Sequence, residues 1–374
     1  MGSACKTLLW WSCPASSMLH LSEYDFAGIA EEIYADPSRR DGRSLEEIVQ
    51  QVVEASNGTD KLSGSVITLP GAPDMYDHER QAYAAGRPLA GFVTQGQKLA
   101  RAVDGFIVTT SRCLEPVGVP SCREFYAKRG QELFAVGIQP DELYWMDSAA
   151  VAPSDERVRA FLDRAVGEYG LESVLYISFG SFFFPVATPQ LVEALVDTLL
   201  TLEYPFPFIF SLGGQMASLP ADLVKRVSAS GKGLICDFWV EQRALLQHGA
   251  VGWFLTHGGF NSVCESLTQG IPLIIWPVGA EQPINAAFLS AEPNPMAIEL
   301  FQVRTGPQLG PSLHSNAEIT GTVQVASEEF RAAFAAARGA RGAILQANAK
   351  KMALSLREER VGEASQEFRR LINF

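Results

Sequence analysis

The sequence is short of positive charge, of long apolar runs, of paired cysteines and of histidine, and each shortage removes a class of function. Lys and Arg number 30 against 42 Asp and Glu, a net charge of −12. That is the wrong sign for a protein that works by neutralising nucleic-acid phosphates, so nucleic acid is excluded as a partner. No run reaches the ~18 apolar residues of a membrane-spanning helix. The longest, Val174 to Ala187, is broken by Ser178, Gly180, Ser181 and Pro185, and no integral membrane segment is expected. Cys5, Cys13, Cys113, Cys122, Cys236 and Cys264 are dispersed without a C-x-x-C pair, which indicates neither a zinc knuckle nor a disulfide framework. Reduced, mostly buried thiols and a cytoplasmic location fit this usage.

What is present is enough apolar material for two cores. The 374 residues are 47% hydrophobic, beyond the size at which one core usually stops growing. The opening Lys6 to Ser17 reads as a buried parallel strand entering a loop at Pro14, because its apolar stretch is at the short limit for a signal peptide. Asn57-Gly58-Thr59 matches a glycosylation acceptor, which carries no meaning without a secretory route.

The second half alternates strand and helix. Val174 to Ser181 is a continuous apolar run ending in small residues, the pattern of a fully buried parallel strand whose carboxyl end meets a ligand. Thr188 then caps a helix with Pro189 at its first position and Leu191, Leu195 and Leu199 on one stripe beside Val192 and Val196. Strand-like Phe206–Leu212, Leu234–Phe238, Val251–Thr256 and Ile271–Trp276 follow, separated by helical stretches, which makes a βαβ series with a parallel sheet. The first half is less regular: an amphipathic helix over Leu45–Ala55, a short strand over Val66–Pro73, and strands at Phe106–Thr110 and Phe134–Ile138. Composition drops to small residues after Asp147, a linker signal. Residues 1–147 and 155–361 are therefore expected as two domains joined by a linker at 148–154, with a closing helix at 362–374.

The densest chemistry lies between Trp239 and Gln282. Thr256-His-Gly-Gly-Phe-Asn-Ser262 follows a strand and opens a helix. Glycines here let backbone approach a bulky anion, and Asn261 and Ser262 are cap-type residues. An ordinary capped turn would look the same over these residues. Glu265 separates the two readings: four residues after Asn261, it sits on the same face one turn deeper, where a carboxylate can accept bonds from the vicinal hydroxyls of a ribose. Trp239, ending the preceding strand, with Gln242 three residues later, offers a base a stacking face and an edge-reading amide. Glu281 and Gln282 follow the next strand, and in an open parallel sheet such ends converge on one crevice.

With its W-x-x-Q start, H-x-G-x-N-S-x-x-E centre and E-Q end, this segment resembles the signature of the family 1 UDP-glycosyltransferases, in a fungal-type variant. Glu241 stands where many members have Pro, and Phe260 where plant members have Trp. The resemblance extends to Leu69–Pro73, Ala102–Thr110 with Leu114-Glu-Pro116, Val136–Gln139 and Gly362–Phe368. It implies an α/β chain of GT-B architecture, two Rossmann-like domains with parallel sheets, and a closing helix that crosses back to the first domain. It also implies that Trp239 stacks on uracil, that Val240 and Gln242 contact the base, and that Ser181, His257, Gly259, Asn261 and Ser262 hold the diphosphate. Glu265 would then take the ribose, and Glu281 and Gln282 the sugar. The implied partners are a UDP-sugar donor and a small lipophilic acceptor whose hydroxyl displaces UDP with inversion. No cofactor or metal is implied, in keeping with the lack of a D-x-D triplet.

Members of that family open with a strand and a loop holding a G-H pair, whose His is the general base, oriented by a later Asp. Neither has a counterpart here, so no catalytic residue is assigned, and about 100 residues, roughly three βα units, are expected to be missing from an incomplete N-terminal domain. Of the 5 histidines, His20, His78, His248, His257 and His314, none sits in a suitable strand-to-helix loop, and His20 is read as a wall or surface residue. A transferase impaired by that loss is the first expectation. A non-catalytic nucleotide-sugar-binding protein or partner subunit is the alternative.

Overall fold

The computed structural model describes residues 5–23, 25–57, 64–80, 88–146, 152–214 and 216–374. Gly58 and Thr59 of the glycosylation pattern and most of the expected linker, 148–151, fall outside them. The chain forms two compact units, each assembled from separate stretches. One comprises Met1–Gln139, Gly306–Ala317 and Glu358–Phe374, the other Pro140–Thr305 and Glu318–Arg357.

In the first unit, β1 (Leu8–Trp11), β4 (Gly105–Val108) and β5 (Glu132–Ala135) form a parallel sheet in the order β1-β4-β5. The opening strand is there, but as an edge strand rather than a fully buried one: among the described residues β1 pairs with β4 alone, and Trp10 is 54% exposed. The strand expected over Val66–Pro73 is shorter. β2 (Val66–Ile67) pairs antiparallel with β3 (Met75–Tyr76) around the Pro70-Gly71 turn. Closing residues belong to this unit. The Glu359 carboxylate accepts the Arg112 and Cys113 amides, both at 2.7 Å, and Phe374 packs edge-on against Phe134.

The second unit holds β6 (Val174–Ser178), β7 (Phe208–Ser211), β8 (Gly233–Cys236), β9 (Val251–Thr256), β10 (Leu273–Ile275) and β11 (Ala297–Glu299), all parallel, in the order β11-β10-β9-β6-β7-β8. The edge strand β11 has too short an apolar run to announce itself. The helix Pro189–Thr201 buries Leu191, Leu195 and Leu199 as the stripe requires, each contributing about 1.5–3 kcal/mol. Thr188 occupies its N-cap position but makes no side-chain cap bond. Toward the end of the chain two helices follow one another, Val323–Arg338 and Ala340–Val361, parted at Gly339. Under the carboxyl ends of the strands lies an aromatic floor, with Phe179 edge-on to Trp276 at 5.4 Å and Trp276 stacked on Phe330 at 5.6 Å.

Glu115 anchors the amino end of the first unit. Its buried carboxylate accepts the Ala15 amide at 2.8 Å, the Ser16 amide at 3.0 Å, and the Ser16 and Thr110 hydroxyls at 2.8 and 2.6 Å. These are the first amides of the helix Ala15–Glu23, which would otherwise be buried without acceptors. Glu115→Ala is expected to destabilise the unit by about 3–5 kcal/mol, measured as a shift of the urea unfolding transition; a loss under about 1 kcal/mol would remove the anchor from the account.

Candidate functional site

A crevice is expected where the strand order of an open parallel sheet reverses. Here that point lies between β6 and β9, with Ser178 in register with Thr256. The loops Phe179-Gly180-Ser181 and His257-Gly258-Gly259 therefore emerge side by side. Their glycines have no room for side chains. Gly180, at φ 72°, would put a Cβ 2.8 Å from the His257 ring, and Gly258, at φ 82°, would put one 2.6 Å from Ile275. Both also require the left-handed backbone that glycine adopts without strain.

His257 is 8% exposed and stacks on Phe183 with ring centroids 5.6 Å apart. Burial pulls its pKa down to about 4, so the ring is neutral near pH 7. Thr256 Oγ1 lies 3.2 Å from Nδ1; a hydroxyl donating there makes Nε2–H the donor the ring can offer a ligand.

The helix that follows runs Phe260–Thr268 with Gly259, not Asn261 or Ser262, at the N-cap position and no side-chain cap. Glycine has no oxygen with which to cap, so the first-turn amides are left to other acceptors. Asn261 is exposed and Ser262 buried. The Phe260 amide donates to Glu281 Oε1 at 3.2 Å. Burial raises the Glu281 pKa against that hydrogen bond.

Gln282 is 1% exposed, and its Oε1 accepts the Val278 and Gly279 amides at 2.8 Å each. The side chain thus staples the loop after β10. One turn on, Asn285 Nδ2 donates to the Gly258 carbonyl at 2.8 Å, tying this helix to the glycine turn. Asn285 escapes sequence reasoning because its partner is a backbone carbonyl 27 residues away.

Trp239 does not end its strand: β8 stops at Cys236, whose pairing with Ser211 is the last of that ladder. The indole sits beyond it, 73% exposed, while Val240 is buried. Ser181 likewise lies on a loop, exposed, rather than on β6. Between these two places runs Gly213-Gly214, another pair the sequence did not single out. A Cβ on Gly213 would sit 3.5 Å from the Trp239 ring and one on Gly214 2.9 Å from the Gly180 carbonyl. Gln242 Nε2 donates to Glu265 Oε2 at 2.5 Å, and Glu241 Oε2 accepts the Ser154 amide at 2.7 Å. Among the described residues no group of three or more His, Cys, Asp or Glu is placed to hold a metal ion, and no helix is long and apolar enough to cross a membrane.

A depressed histidine pKa couples stability to pH. Unfolded His257 takes up a proton near its ordinary 6.5, the folded form near 4, so this contribution is fully present above 6.5 and is lost as pH falls toward 4. Between pH 7 and 4.5 the wild-type protein is expected to lose about 2–3 kcal/mol that His257→Gln does not lose. Urea titrations at the two pH values measure it; equal losses would place the titration elsewhere.

The family model for UDP-glucoronosyl and UDP-glucosyl transferase matches residues 147–305. A UDP-glycosyltransferase of Hericium erinaceus, eriJ, is 32% identical over 303 residues, 79% of this chain and 59% of its own length. A hydroquinone glucosyltransferase of Rauvolfia serpentina is 31% identical over 210 residues, 52% of this chain and 42% of that protein. The chain thus spans less than two thirds of these relatives. Among solved structures, apo UGT2 of Phytolacca americana superposes with TM-score 0.64 at 20% identity, covering 98% of this chain and 71% of that one. A transferase of Siraitia grosvenorii in complex with UDP gives 0.61 at 18%, covering 94% and 75%. At such identities the likeness is one of fold, GT-B with parallel sheets. Residues 147–305 thus carry the match to the UDP-glucoronosyl and UDP-glucosyl transferase family model, and the chain is similar in sequence to UDP-glycosyltransferases over that region and beyond it.

Proposed function

We propose that the protein binds a UDP-sugar at the carboxyl ends of β6, β8, β9 and β10 and serves transfer of its hexosyl group to a hydroxyl of a small lipophilic acceptor. One observation carries the reading: an exposed indole and a neutral histidine donor on loops, a helix start without a side-chain cap and a part-buried carboxylate one turn into that helix all lie at the same end of one sheet. Trp239 offers its face to uracil, with Val240 and Gln242 at the base edge and Glu265 at the ribose. His257, Gly259, Asn261, Ser262 and Ser181 surround the diphosphate, and Glu281 and Gln282 lie toward the sugar. The named relatives support the donor class.

In the displacement, the acceptor oxygen attacks the anomeric carbon as the bond to the β-phosphate oxygen breaks, with inversion. UDP leaves with the electron pair. The charge growing on it is met by the Nε2–H of His257 and the helix amides, donors already in place before the bond breaks. The acceptor proton needs a base. Residues 1–374 have no counterpart of the family's G-H pair; His20 lies within the helix Ala15–Glu23, not in a loop after a strand. The chain taken alone is therefore read as a donor-binding protein with impaired turnover, in a cytoplasmic setting. A non-catalytic binding role for the same site is the second reading, favoured by that same lack of a base.

Calorimetric titration of residues 1–374 with UDP, UDP-glucose and UDP-N-acetylglucosamine is expected to give saturable binding. Trp239→Ala is expected to weaken UDP by about 1–3 kcal/mol, the range for a base stacked on an aromatic ring; unchanged affinity would remove the stacking role. With phenolic or sterol acceptors the same chain is expected to turn over far below an intact transferase. Full turnover would overturn the assignment of a missing base.

A further inference from the structure

Glu265 is held from outside the signature. Tyr144 belongs to a short 3-10 turn, Glu142–Tyr144, and lies 121 residues before Glu265 in the chain. Its hydroxyl donates to Glu265 Oε2 at 2.7 Å. The same oxygen accepts Gln242 Nε2, and Gln242 Oε1 in turn accepts the Tyr176 hydroxyl at 3.2 Å. Because a carboxylate only accepts, Gln242 must turn its amide toward Glu265 and its carbonyl toward Tyr176, which fixes the direction of every bond. Burial, reinforced by the neighbouring Glu265, pushes the Tyr144 phenol well above its ordinary pKa and keeps it a donor.

The turn that carries Tyr144 is itself clamped. Asp141 accepts the Leu143 amide at 2.8 Å. Gln247 donates to the Leu143 carbonyl at 2.9 Å, Gln269 to the Tyr144 carbonyl at 2.7 Å and Arg357 to the Trp145 carbonyl at 2.8 Å. Tyr144 is 4% exposed. Three side chains spent on the carbonyls of one short turn hold the ring in a single place. Among the described residues both donors to Glu265 reach Oε2 and none reaches Oε1.

We infer that Tyr144 is a positioning residue for the ribose: by filling one face of Glu265 together with Gln242, it orients the carboxylate so that Oε1 receives the vicinal 2′- and 3′-hydroxyls of a nucleoside diphosphate. This rests on the donor-site reading above and adds to it a residue that touches no ligand. Preorganisation of this kind lowers the entropy lost when the diol binds.

The test compares UDP with 2′,3′-dideoxy-UDP by calorimetry on the wild-type chain, Tyr144→Phe, Glu265→Gln and the double variant. The wild type is expected to prefer UDP. Tyr144→Phe is expected to weaken UDP about 5- to 10-fold, in line with one hydrogen bond to a charged group acting indirectly, while dideoxy-UDP stays within about twofold. Retained dideoxy-UDP binding also reports that the variant is folded. The double variant is expected to lose no more than Glu265→Gln alone, the non-additivity of residues acting through one another. Equal weakening of both ligands, no weakening of either, or additive losses would overturn the positioning role. A wild-type chain that binds both ligands equally would overturn ribose reading by Glu265. One that binds neither would overturn the donor site itself, a distinct result.

Discussion

The register of β6 against β9 is the constraint on which the site depends. Placing Ser178 opposite Thr256 makes two loops leave the sheet at one level, at the point where strand order reverses and no crossover helix covers the gap. Later features follow from that juxtaposition: the close contact of Gly180 with the His257 ring, the burial of His257, and the helix start aimed at the crevice. A slip of one residue would turn the side chains of β9 to the opposite face of the sheet.

Burial at this crevice works in two directions. It strips His257 of its charge, so the ring contributes a directed neutral donor instead of a cation whose strength would vary with pH. It raises the Glu281 carboxyl, which already accepts an amide of the helix start. The polar groups around the crevice are held largely by one another: Gln282 and Asn285 fasten loop backbone, and Tyr144 and Gln242 fasten Glu265. An anion entering such a site meets donors that need little rearrangement, which is the economy of preorganised electrostatics.

Much of this could be read before folding. The strand Val251–Thr256, the helix opening after Gly-Gly and the Leu191, Leu195, Leu199 stripe are local patterns, each set by the period of one element. Strand ends were less legible. The apolar run to Ser181 outlasts β6, and the run to Phe238 outlasts β8, because ladders stop where a neighbour's pairing stops and not where hydrophobicity does. Helix starts misled for a related reason: Asn261 and Ser262 are good capping residues, yet the backbone puts Gly259 at the cap position.

Sequence alone determined the βαβ alternation, the acidic balance, the lack of a long apolar run, and the spacing of Trp239, His257, Glu265 and Glu281 along successive strand-to-helix turns, since these depend on composition and on neighbours a few residues apart. Tertiary structure decided which partners those groups keep: that Tyr144 meets Glu265, that Asn285 reaches the Gly258 carbonyl, that Glu115 serves the amides of Ala15 and Ser16, and that His257 loses its charge. Hydrogen-bond partners far apart in the chain, and the desolvation that moves a pKa, exist only once packing has brought distant segments together and excluded water from between them.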